Sequence, residues 1–271
     1  ADGPGSMLVE DGGSVHAQHV SVGDARNVDT VTISGVDKLG LSSLLSVQGS
    51  APFLEIAGGV GTQVEVKDGG FLRVDPTGFA SLGFKLDVAK VMVHGKSGSG
   101  PSHWDMSGDV YIGSEIVPSE LIVTDGGRVS STGEMIVGGP SADHDLGRVE
   151  VSGSNSFLSA NTLLVGVKGH GVLTISGGAQ VQSVTGGVGN TQLGPAVGSG
   201  IASITGTPLS PSEWRMTGNG FVGTDEPGSV LLNGTTIGPF SAGGATLRVD
   251  GTLTVGVYQT VASLVQACRP A

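Results

Sequence analysis

One phrase recurs along this chain and limits what it can fold into. An apolar alternation closed by two glycines appears as MLVEDGGSV from Met7, VEVKDGGFLRV from Val64, LIVTDGGRVSS from Leu121 and LTISGGAQVQS from Leu173. The first Gly of each copy, with that of the degenerate copy VLLNGTT, gives Gly12, Gly69, Gly126, Gly177 and Gly234, spaced by 57, 57, 51 and 57 residues. Periods of this size indicate solenoids, propellers or arrays. A second phrase interleaves: LSVQGSAPFLEIAG from Leu45, VMVHGKSGSGPSHWDMSG from Val91, VEVSGSNSFLSANTLLVG from Val149 and ASITGTPLSPSEWRMTG from Ala202. Each carries an aromatic after its bend, so Phe53, Trp104, Phe157 and Trp214 are read as anchors stacked on one side of the molecule. The repeat thus has two halves of about 28 residues, each long enough for one coil of two or three short strands.

The apolar runs alternate at period two, the pattern of strands with one buried face. Abundant Gly (49 residues), few aromatic residues (4%) and few charged ones (14%) also favour short strands and turns over helices. Asp125-Gly126 between two runs is equally a hairpin signal, which keeps a barrel, a prism or propeller blades as the alternative. A β-solenoid is preferred, because the two halves resemble each other and insertions are confined to the Gly/Ser/Pro segments between runs. Gly-Gly then marks a corner where side chains would collide with the next coil, preceded by the turn residues Asp11, Asp68 and Asp125. All five marker glycines are expected in one column. About nine or ten coils at ~4.8 Å each predict a rod roughly 45 Å long.

The organisation expected is a tail over residues 1–6, a single solenoid of about 4.5 repeats over 7–254, and a more helical cap or tail over 255–271. The first coil, starting at Met7, should present a strand edge completed from outside it. No apolar run is long enough for a spanning helix, and ADGPGS lacks the regions of a signal peptide. Thirteen basic against twenty-four acidic residues give a net charge of −11, which opposes nucleic acid and anionic membranes as partners. Cys268 is alone, so no internal disulfide forms.

The phrases SHWDMSGDVYIG, SGSNSFLSANTLLVGVKGHGVLTISGGAQV and SEWRMTGNGFVG resemble the repeats in passenger regions of bacterial autotransporters and related surface proteins. The resemblance covers about Met7 to Val255. It implies a right-handed parallel β-helix, exported and displayed or released at the bacterial cell surface, often as an adhesin or stalk. SLVQACRPA closes the sequence where the full-length pattern of that family continues into a membrane barrel.

Chemical candidates are few, and no catalytic residue, cofactor site or metal site is assigned. Asp143-His144-Asp145 places two carboxylates and an imidazole on one insertion; calcium is the cation they could share, although a solvated acidic turn explains them as well. His103, Asp105 and Asp109 flank Trp104 as carboxylates flank aromatics in sugar-cleaving sites, but the equivalent phrase at Trp214 carries Glu213, Arg215 and Asn219 instead. His16, His19, His94 and His103 lack the spacing of a zinc site. The function expected is therefore nonenzymatic: a secreted or surface-displayed structural or adhesive solenoid that binds a host or environmental ligand, glycan or protein, through loops and edge surfaces. A polysaccharide lyase or glycosidase is the first alternative, opposed by the scarcity of basic residues. A subunit that stacks through its ends into a filament or surface layer is the second.

Overall fold

A computed structural model describes residues 4–23, 28–56, 61–75, 78–83, 89–98, 100–113, 118–139, 146–167, 169–189, 198–223, 228–235, 244–256 and 262–269, with the backbone alone at 234–235 and 262–269. The chain is an all-β parallel solenoid with three faces. On the first face lie the ten strands Ser6–Val9, Thr30–Ser34, Thr62–Lys67, Ala89–His94, Ser119–Thr124, Leu146–Ser152, His170–Ser176, Ser199–Gly206, Gly228–Thr235 and Ala262–Arg269, paired in that order. Each belongs to a successive coil, and every pairing on this face is parallel. Ten strands at ~4.8 Å per step span about 43 Å. The second and third faces form one further sheet, because the strands Phe157–Val165 and Gln180–Val188 run unbroken from one face to the other.

Period-two alternation produces this architecture by sending every second side chain inward, where equal positions of successive coils meet. Val31, Val64, Val91, Leu121, Val149 and Leu173 form one buried column on the first face, and Ile33, Val66, Val93, Val123, Val151 and Ile175 form the next. β-Branched side chains fill such columns with little loss of rotamer freedom. On the second face the inward column runs Leu45, Leu72, Trp104, Val129, Leu158, Val181, Trp214. Trp214 fits because the facing third-face strand is glycine at Gly186, where an added Cβ would collide with Met216 and the indole.

The corner between the first and second faces explains why the repeat spans two coils. Odd-numbered coils turn tightly through Asp11-Gly12-Gly13, Asp68-Gly69-Gly70 and Asp125-Gly126-Gly127, with each Asp in the left-handed region at φ 51 to 53°. Even-numbered coils carry a serine at the end of a longer corner. The amides of Gly12, Gly69, Gly126 and Gly178 donate to Ser43, Ser102, Ser156 and Ser212 Oγ at 3.0, 3.0, 3.1 and 3.0 Å. Ser102 and Ser212 in turn donate to the carbonyls of His94 and Thr205 in their own coils, at 2.7 and 2.9 Å. All four serines are fully buried, so each clamp satisfies polar groups that burial would otherwise leave unpaired. The second glycine of the pair is required by stacking: a Cβ on Gly127 would meet the Val93 carbonyl of the coil below.

Three expectations are corrected. The marker glycines occupy two adjacent columns, not one: Gly12, Gly69 and Gly126 share a position with Gly178, whereas Gly177 takes the place of Asp125 and Gly234 pairs in register with Gly206 at the end of a first-face strand. Among the aromatics, Trp104 and Trp214 share the inward column, but Phe157 is in register with Arg128 and faces outward, and Phe53 belongs to the third face, beside Phe79. All three faces alternate alike, so alternation alone does not say which face a phrase occupies. Finally, the segment read as a helical cap contributes a strand, Ala262–Arg269, paired to Gly228–Thr235 as the tenth first-face strand.

Candidate functional site

Among the described residues, three insertions stand on the corner between the first and second faces. In the second coil the chain bulges between Val36 and Ser42, in the fourth a small hairpin pairs Lys96–Ser97 with Gly100–Pro101, and in the eighth a turn is closed by a bridge between Thr207 and Ser210. Two of these insertions raise leucines into solvent: Leu39 is 86%, Leu41 62% and Leu209 98% exposed. The two loops lie on one edge, six coils apart, about 29 Å at ~4.8 Å per coil, and large apolar side chains so exposed mark points of interaction.

Three concavities line the same corner. One of 410 Å³ lies beside Asp11, Val36, Asp37 and Lys38. The other two, of 540 and 470 Å³, share Arg128, Ser154 and Asn155 and form one open groove. The groove exists because the fifth and seventh coils turn tightly and the sixth adds only the short corner 153–156, while the fourth-coil hairpin and the eighth-coil turn stand up on either side. At ~4.8 Å per coil its walls are about 19 Å apart along the axis.

Side chains reach the groove through coil register. His103, Arg128, Phe157 and Gln180 are outward neighbours in successive coils of the second face. Phe71 precedes them, with its ring 5.9 Å from that of His103 at an interplanar angle of 68°. Asn155 stands at φ 68°, a left-handed conformation that Asn tolerates, over Gly126. Burial pushes the His103 imidazole below its ordinary value; Asp105 opposes this and the Arg128 guanidinium adds to it.

Arg128 differs from the other arginines whose side chains are described. Arg73, Arg148, Arg215 and Arg248 are ion-paired, with Asp75 at 2.6 Å, Glu150 at 3.4 Å, Asp250 at 2.9 Å and Asp250 at 2.7 Å respectively. Among the described residues Arg128 makes no ion pair, and neither does Lys96 on the hairpin wall.

The residues around Trp104 do not converge on a cleft. Trp104 is fully buried, so its faces are closed to a sugar ring. Asp105 accepts a hydrogen bond from Ser130 at 2.7 Å, and Asp109 accepts one from the Glu134 amide at 2.8 Å, which ties both carboxylates to the next coil. Asp143, His144 and Asp145 lie outside the described residues. Among the described residues no group of three or more His, Cys, Asp or Glu could hold a metal ion, and no helix is long and apolar enough to cross a membrane.

Elsewhere the surface is used for support. Glu65 on the first face is bonded to Lys67 at 2.7 Å and to His94 Nε2 at 2.9 Å. On the third face His19, Phe53, Phe79 and Tyr111 form a ladder of rings with centroids 6.3, 4.4 and 6.5 Å apart. No protein-family description, no curated protein and no solved structure matches the chain.

Proposed function

We propose that this chain is a nonenzymatic structural and adhesive solenoid, displayed or released at a bacterial cell surface, which engages a glycan or protein ligand along the corner between its first and second faces. One observation carries the reading: among the described residues, the insertions with Leu39, Leu41 and Leu209 and the three concavities share one edge of the rod. Stacked coils supply a rigid scaffold on which loops vary without disturbing the core, the usual division between scaffold and binding loops. The resemblance to autotransporter passenger repeats supports the surface location. The test is binding of the full chain and of the combined variant Leu39→Ser, Leu41→Ser, Leu209→Ser to immobilised glycans and extracellular proteins. Loss of binding at an unchanged melting temperature agrees with the reading. Undiminished binding, or release of a cleaved product from a bound glycan, contradicts it.

End-to-end self-association is a second reading, favoured by core-type residues half-exposed in the first coil and in the last described third-face strand, which a second copy could cover. Met7, Val15 and Val20 are partly open at one end, and Leu253 and Val255 are 37% and 44% exposed at the other. Sedimentation that shows growth with concentration supports it, and a monomer at all concentrations argues against it.

A further inference from the structure

We infer that the groove between the fourth-coil hairpin and the eighth-coil turn is a site for a saccharide bearing an isolated carboxylate, with Arg128 receiving that carboxylate and Phe157 stacking on a neighbouring ring. The inference rests on the corner reading and names the ligand chemistry. Arg128 is exposed, unpaired among the described residues and placed on the groove floor, while the four other arginines with described side chains are ion-paired, Arg215 and Arg248 sharing Asp250. Its planar fork is suited to a carboxylate held by two parallel hydrogen bonds. In a chain of net charge −11, a guanidinium left free in a concavity is available to a charge that comes from outside.

The flanking side chains select a sugar. Phe157, in register beside Arg128, offers an apolar ring of partial exposure, and Asn155 and Gln180 offer amides that both donate and accept, which suits hydroxyl groups. A peptide gains much of its grip by adding a strand to a free sheet edge. Here the floor strands Arg128–Ser131, Phe157–Val165 and Gln180–Val188 are paired with coils on both sides, so no edge is free. Asp125 lines the same groove and repels a second negative charge placed beside the first, and the groove's other cation, Lys96, stands away on the hairpin wall, which favours a single carboxylate at Arg128 over a dense polyanion.

An array of oligosaccharides with a single uronate or sialic acid, their methyl esters and polyuronates tests this, read with the wild-type chain, Arg128→Gln and Phe157→Ala. The expected result is binding of single-carboxylate sugars, weakened at least tenfold by methyl esterification and by Arg128→Gln, and weakened by Phe157→Ala. Arg128 is exposed, so Arg128→Gln leaves the fold intact, and its melting temperature checks this. Equal binding of esters and acids, affinity that rises with the number of carboxylates, unchanged binding by Arg128→Gln, or no sugar bound would each overturn the inference. An acidic peptide that displaces the sugar and pairs with Arg128 at higher affinity would overturn the choice of sugar. The corner reading fails separately, when binding of any ligand is insensitive to the exposed leucines.

Discussion

Trp214 donates its indole N–H to Ser183 Oγ at 3.2 Å in the coil below, whereas the indole N–H of Trp104 is buried without a partner. The difference follows from register. Ser183 pairs with Met216, two residues beyond Trp214, and the residue paired with Met106, two beyond Trp104, is Val74. An unsatisfied buried donor costs about 1–3 kcal/mol, while a satisfied one contributes about 1 kcal/mol.

The two tryptophans should therefore respond differently to the same change. Trp104→Phe removes an unpaired donor along with packing volume, and should cost at least about 1 kcal/mol less than Trp214→Phe, which also strands Ser183. Chemical denaturation of both variants checks this. Truncation to Ala should cost about 3–5 kcal/mol at either site, since both create a large cavity.

Acid should weaken the first face through Glu65. Burial works against its charge, but hydrogen bonds from Lys67 and His94 and their charges outweigh it and hold the carboxyl below its ordinary value of 4.5. A depressed carboxyl stabilises the fold above that ordinary value, and the stabilisation is lost as pH falls through the folded value. Glu65→Gln should thus lower stability by about 0.5–1 kcal/mol at neutral pH, as for a partly exposed pair, with the two stability curves converging in acid. Parallel curves down to the lowest pH at which the chain folds would count against the pairing.

His103 reports on Arg128 directly. Burial is the main cause of its lowered value and Arg128 a lesser one, so Arg128→Gln should raise the His103 value toward the ordinary 6.5 without reaching it. In the native chain the neutral imidazole is favoured, and stability falls as pH drops through the ordinary value and the unfolded state takes up the extra proton. The variant should flatten that dependence. A proton NMR titration of the ring measures the shift, and a lowered or unchanged value would show that the two groups are not neighbours.

The strands were legible because a solenoid buries one side of every strand, and period-two alternation survives in each copy. What alternation does not encode is the face. The phrase LSVQGSAPFLEI rounds the corner between second and third faces, while VMVHGKSGSGPSHW rounds that between first and second; both read as strand, bend and aromatic. The true counterpart of Trp104 in the second coil is Leu45, two residues after the clamp serine Ser43 as Trp104 is two after Ser102. That serine recurs in the sequence as SSLL, PSHW, NSFL and PSEW, a usable signal for register. The groove was not legible. Arg128, Phe157 and Gln180 lie in three coils of unequal length, and only hydrogen-bonded register makes them neighbours. Arg128 has the same sequence appearance as the paired arginines, because pairing depends on what the adjacent coils place beside it.

Site-directed photocrosslinking tests the central claim most directly. A photoreactive side chain placed singly at Leu39, Asn155 or Leu209 on the corner, at Ile201 on the first face, or at Phe79 on the third samples three sides of the rod at exposed positions. Each variant is illuminated on immobilised glycans and extracellular proteins. Capture of ligand from the corner positions and not from Ile201 or Phe79 is the predicted result. Capture that is equal on all three sides, or strongest from Ile201 or Phe79, would contradict a corner-directed binding function.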